Sequence, residues 1–163
     1  MIPFVTKSLD WVDRRTDWLF LLIVYVARWL VLSPIIILYI TNPALFPSDG
    51  GIAKGAISVS DLVSLLIISP VFETLVECGL PYALLRKWVE RYRRPWLFIV
   101  VSGFVMMSLH PYLTALLPSF ITGCFLAYTY SHFVERGHWV AFLYTSLFHT
   151  CINLVGATVA FLS

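Results

Sequence analysis

Apolar residues run along the chain in long blocks separated by short polar clusters, and the breaks define the predicted elements. Trp18 to Ile40 is the first block, with Arg28 near its middle and Pro34 marking a kink. Thr41 to Ser60 carries Asn42, Asp49 and several Gly and Pro residues, so it reads as an irregular loop. Within it, Ile52–Val59 is apolar enough to dip back toward a bilayer. Asp61 is placed to cap a second block that runs to about Leu85. A basic stretch from Arg86 to Arg94 follows, and Pro95 opens a third block that closes near His110-Pro111. The fourth spans about Thr114 to Val134, Glu135-Arg136-Gly137-His138 turns the chain, and Trp139 to Leu162 is the fifth.

Blocks of this kind suit a hydrocarbon core about 30 Å thick. The expected fold is all-α: a polytopic membrane bundle of about five transmembrane helices filling 18–163 as one domain. Residues 1–17, with Phe4, Leu9 and Trp11 among mixed charges, read as an N-terminal interfacial segment. Along the fourth block Ser119, Gly123 and Ala127 keep a small-xxx-small spacing that allows close helix approach.

Composition strengthens the membrane assignment. The chain is 60% hydrophobic and 12% charged, where soluble domains carry about 25% charged residues. Arg14, Arg15, the Arg86–Arg94 stretch and Arg136 fall on one side of five spans, and Lys54 on the other. The positive-inside rule then places the N-terminus in the cytoplasm. A compact chain without added domains points to a prokaryotic cytoplasmic (inner) membrane. Its expected partners are the lipid bilayer and a membrane-associated protein or peptide, with no nucleic acid. Cys78, Cys124 and Cys151 are scattered through the spans and read as small packing residues rather than a disulfide framework.

Against this background two carboxylates stand out. Glu73 and Glu77 lie four residues apart inside the second block and so share a helix face. A charge at the bilayer centre costs several kcal/mol, so such groups face a protein interior or a polar cavity. His110, His149 and Asn153 are the candidates opposite, and His149 and Asn153 again share an i, i+4 face. Counted from the basic end at about 1.5 Å per residue, all five fall at similar depth, roughly 14–22 Å in. Arg28 is a supporting residue, available to balance Glu77.

A carboxylate, two imidazoles and an amide are what amide hydrolysis needs. Glu73 can take a proton from water and return it to the leaving amine. One of the two histidines can orient that water, and a histidine with Asn153 can donate to an oxyanion. The same Glu73, His110 and His149 could instead hold a divalent metal such as zinc that activates the water. Outside catalysis, the cluster would suit a proton- or metal-coupled carrier, or a scaffold kept by a non-catalytic immunity or partner protein.

Pro70-Val-Phe-Glu73-Thr-Leu-Val-Glu-Cys-Gly79 resembles the first motif of the CAAX-protease and bacteriocin-processing family of intramembrane proteases, Pro-x-x-Glu-Glu-x-x-x-Arg-Gly. Met106-Met-Ser-Leu-His110 is similar to its second, Phe-x-x-x-His, and His149-Thr-Cys-Ile-Asn153 matches its third, His-x-x-x-Asn. The likeness covers roughly 61–156. It implies an intramembrane endopeptidase with Glu73 as the water-activating base, His110 as its partner, and His149 and Asn153 at the oxyanion. Thr74 stands where the family has its second Glu, and Cys78 where it has Arg; Glu77 is one residue before that Arg position.

Overall fold

The structure, a computed structural model, describes residues 17–42, 58–92, 95–110 and 113–162. These residues form an all-helical chain with no strand among them. In order they are α1 (Asp17–Thr41), α2 (Val59–Val63), α3 (Ser69–Thr74), α4 (Leu80–Tyr92), α5 (Pro95–Leu109), α6 (Leu113–Phe133) and α7 (His138–Leu162). π-helical turns at Ser64–Ile68 and Leu75–Gly79 join α2, α3 and α4 into one rod. Three stretches are long and apolar enough to cross a membrane: Asp17–Leu38, Val59–Val89 and His138–Thr158. Pro95–Leu109 is a shorter apolar helix. The expected interfacial segment, Arg14, Arg15 and Lys54 lie outside the described residues.

Element boundaries follow local chemistry. The rod is capped one turn earlier than expected: Ser58, not Asp61, is the N-cap, and Asp61 is the third residue of a capping box. Ser58 Oγ accepts from the Asp61 N–H at 3.2 Å, and Asp61 Oδ2 accepts from the Ser58 N–H at 3.0 Å. This reciprocal pairing satisfies two N–H groups that a lone cap would leave half-served. α1 runs unbroken through Pro34. Proline has no N–H for the carbonyl four residues back, and the Ser33 hydroxyl donates to that carbonyl, Leu30 O, at 3.1 Å.

Packing is closest between α5 and α6, then between α6 and α7. Gly103 and Gly123 allow the first of these. A Cβ on Gly123 would lie 2.6 Å from Met106 Cβ and 3.0 Å from both Gly103 Cα and Ser102 O. The small-residue face predicted on the fourth block is therefore a crossing point, and Gly103 is its counterpart on α5.

At one end an aromatic core gathers the helices. Phe20 stacks on His132 with centroids 3.7 Å apart, and Phe133 stacks on Tyr144 at 4.3 Å. Gly137, at φ +122°, makes the turn into α7 in a conformation that favours glycine. Arg136 beside it pairs with Asp17 at 2.7 Å, tying the start of α1 to the α6–α7 turn.

Candidate functional site

The site is built where α3 meets α7, and proline sets its backbone. Each π-helical turn ends two residues before a proline, Pro70 or Pro81. In the first turn the N–H of Ser69 reaches back five residues to Ser64 O. Pro70 then offers no N–H to the carbonyls of Leu66 or Leu65, four and five residues before it. Two side chains on α7 serve these carbonyls instead. Thr150 Oγ1 donates to Leu66 O at 2.8 Å, and Asn153 Nδ2 donates to Leu65 O at 3.0 Å. A backbone irregularity in one apolar helix is thus sealed by a neighbour, as an unpaired carbonyl in hydrocarbon requires.

One turn further, the same pair of helices brings Glu73 and His149 together. His149 Nε2 lies 3.3 Å from Glu73 Oε2. The imidazole is buried at 1% exposure, while the carboxylate keeps 19%. With the proton on Nε2 the ring donates to Glu73. Ser69 Oγ, four residues before Glu73, donates to the other carboxylate oxygen. Glu73 is therefore held between a hydroxyl on its own rod and an imidazole on α7.

His110 closes α5. Its Nδ1 is 3.1 Å from Met106 O, which fixes the ring against the helix end. No hydrogen bond joins His110 to Glu73 among the described residues. Nor do three His, Cys, Asp or Glu side chains gather there in a metal-holding group. Of Glu73, His110 and His149, the contact in place is that between Glu73 and His149.

Arg28 is buried, but it does not pair with Glu77. Its Nε and Nη2 both donate to Thr122 Oγ1 on α6, at 3.1 and 3.0 Å, and Nη1 has no hydrogen-bond partner. A hydroxyl on the neighbouring helix accepts from the guanidinium in place of the expected Arg28–Glu77 ion pair. Glu77 is fully buried, and neither of its carboxylate oxygens has a hydrogen-bond partner.

Other buried atoms share that condition: Thr74 Oγ1, Ser102 Oγ, Thr145 Oγ1, Ser146 Oγ and His149 Nδ1. Ordered water is the usual partner of such groups. Thr74 belongs to the rod, Ser102 to α5, and Thr145, Ser146 and His149 to α7. An apolar groove of about 340 Å³ lies close by between α1 and α7, lined in part by Tyr25, Phe148 and Cys151.

Of the residues expected from the sequence, Glu73 and His149 meet across α3 and α7 and Asn153 bonds the rod at Leu65 O, whereas Ser69, Thr150 and Thr122 were not among those expected. Ser69 had a signal, since it precedes Glu73 by four residues, one helical turn. The chain matches no protein-family model, no curated protein and no solved structure.

Proposed function

We propose that the protein is an intramembrane endopeptidase that cleaves a membrane-associated protein or peptide with a Glu73-activated water. The observation that carries this reading is the 3.3 Å approach of Glu73 and His149 from two separate helices, within stretches apolar enough to cross a membrane. A carboxylate bonded to an imidazole and a hydroxyl is held in place while one oxygen edge takes a water proton. The same carboxyl then returns that proton to the leaving amine. His149 donates its Nε2–H to the carboxylate and so orients it. Asn153 has one amide proton committed to Leu65 O, which leaves its second for the substrate. His110 is the second imidazole of the site.

The resemblance of three ordered motifs to the CAAX-protease and bacteriocin-processing family supports the same reading. It goes with five spans, a cytoplasmic N-terminus and a prokaryotic cytoplasmic membrane. A metal-dependent version needs a third donor beside Glu73 and His149, and the described residues supply none in place.

The test is a quantitative comparison of protein termini in membranes from cells carrying the wild type, Glu73→Gln or His149→Ala. New termini that depend on the wild type and fall by about 10²–10⁴-fold in both variants are expected. Identical termini at equal abundance in all three would overturn the proposal.

A further inference from the structure

Four exposed indoles mark one end of the bundle. Trp18, Trp96 and Trp139 are the second residues of α1, α5 and α7, and Trp88 lies near the end of α4. Contacts between these helices bring the four ends together. Arg136 pairs with Asp17, which stands next to Trp18 and near Trp139. The Tyr82 ring on α4 lies 5.5 Å from that of His138 at the start of α7 and 5.3 Å from that of Phe98 near the start of α5. Tryptophan collects where hydrocarbon meets headgroups, because its ring is apolar and its N–H is not. The rod agrees with that level. From Asp61 in its capping box to Trp88 it measures roughly 40 Å at about 1.5 Å per residue, close to the thickness of a bilayer with its headgroup layers.

At this level α4 turns from apolar to basic along one face. Leu80, Leu84 and Trp88 recur every four residues and are all exposed, Leu84 at 72% and Trp88 at 58%. Lys87, three residues after Leu84, shares that face, and Arg86 flanks it about 100° round the helix; both are exposed. The stretch from Arg86 to Arg94 holds five basic residues and one acid, Glu90. The other side of α4 is taken up by packing, with Tyr82 buried against Phe98 and Tyr130. Read outward from the bilayer centre, the exposed face offers leucine, then an indole, then cations. A phospholipid presents its acyl chain, glycerol and phosphate in the same order.

We propose that this face of α4 docks an anionic phospholipid, with its phosphate at Lys87 and Arg86, its glycerol at the Trp88 indole and an acyl chain along Leu84 and Leu80. Charge decides the class of lipid. A zwitterionic headgroup brings an ammonium group that the two cations repel, and a headgroup of net negative charge brings none. Each lysine or arginine held at an anionic membrane surface contributes about a fivefold preference. The exposed leucines below add contact with the chain but do not distinguish one headgroup from another. This surface owes nothing to the hydrolytic reading, so the two fail separately.

Tryptophan quenching of the full chain in phosphatidylcholine bilayers tests it, with acyl-brominated phosphatidylglycerol or acyl-brominated phosphatidylcholine added at equal mole fraction. The part of the signal lost in Trp88→Phe reports the α4 face. Quenching of that part should favour the anionic lipid by roughly tenfold or more in apparent affinity. Lys87→Gln should cut the preference by about fivefold, the Arg86→Gln, Lys87→Gln pair should abolish it, and Lys87→Arg should keep it. Salt should weaken it, and inorganic phosphate should do no more than sodium chloride at the same ionic strength. Three results would overturn the proposal: equal quenching by the two lipids in the wild type, a preference unchanged in the double variant, or competition by inorganic phosphate beyond the effect of salt. The first would leave the two cations as an orientation signal alone, and the third would assign them to soluble phosphate.

Discussion

Asn153 illustrates how one side chain can be read two ways. By its spacing from His149 it belongs to a catalytic pair, yet in the structure it closes the carbonyl that Pro70 leaves open. Interhelical hydrogen bonds in membranes are worth about 0.6–1.7 kcal/mol, so Asn153→Ala should lower unfolding stability by that amount. In a Pro70→Ala background residue 70 regains an N–H for the same carbonyls, and the cost of Asn153→Ala should shrink. Unfolding measured in bicelles across the four variants checks this. A full cost in both backgrounds would show that Asn153 does not act through Leu65 O. Glu73, His149 and Asn153 were legible because polar groups in apolar blocks are conspicuous. The hydroxyl contacts of Ser69, Thr122 and Thr150 were not, since serine and threonine are common in membrane helices and bond locally. Arg28 was legible as a buried cation but not by its partner, because sequence spacing says nothing of which neighbour lies across a helix interface.

Among the elements, the crossing of α5 and α6 tolerates the least change. Gly123→Ala would push a methyl into Met106 and against the backbone of Ser102 and Gly103. Overpacking of this kind costs about 1–3 kcal/mol. Gly156→Ala on α7 meets nothing within 4 Å, so it should be neutral or stabilising by up to about 1 kcal/mol through helix propensity. Paired unfolding measurements should separate the two glycines, and equal effects would contradict the crossing. The helices themselves were well marked: the blocks from 18, 95, 114 and 139 became α1, α5, α6 and α7 with ends shifted by a residue or two. The second block hid more. Pro70 and Pro81 lay inside an apolar run that reads as one helix, and nothing in its periodicity announces two π-helical turns. The cap moved from Asp61 to Ser58 because a capping box needs both residues, and only its acidic member was recognised.

For the molecule as a whole, the Arg136–Asp17 contact holds the start of α1 and the α6–α7 turn at one end. Exposed pairs contribute about 0–1 kcal/mol, so Arg136→Ala should cost no more than that, and less at high salt. Thermal unfolding with and without added salt measures it. A larger loss would mean that Arg136 does more than pair with Asp17, for instance through its 5.4 Å contact over the Phe133 ring. The proposed five-span arrangement with a cytoplasmic N-terminus makes a separate forecast. In a background without Cys78, Cys124 and Cys151, Glu135→Cys should label from the cytoplasmic face and Asn42→Cys from the other. Labelling of both from one face would contradict it. The long apolar helices were legible from composition, since 60% hydrophobic and 12% charged residues leave little polar surface for water, and three of the described stretches are long and apolar enough to cross a membrane.

The contact on which the site depends is measurable directly. Solid-state NMR of the chain in bilayers, with ¹⁵N in histidine and ¹³C in glutamate side-chain carboxyls, reports nitrogen–carbon dipolar coupling. The account predicts a strong coupling between His149 Nε2 and Glu73 Cδ, matching the 3.3 Å nitrogen–oxygen approach and vanishing in Glu73→Gln. A coupling confined to His110, or none at all from His149, would contradict it.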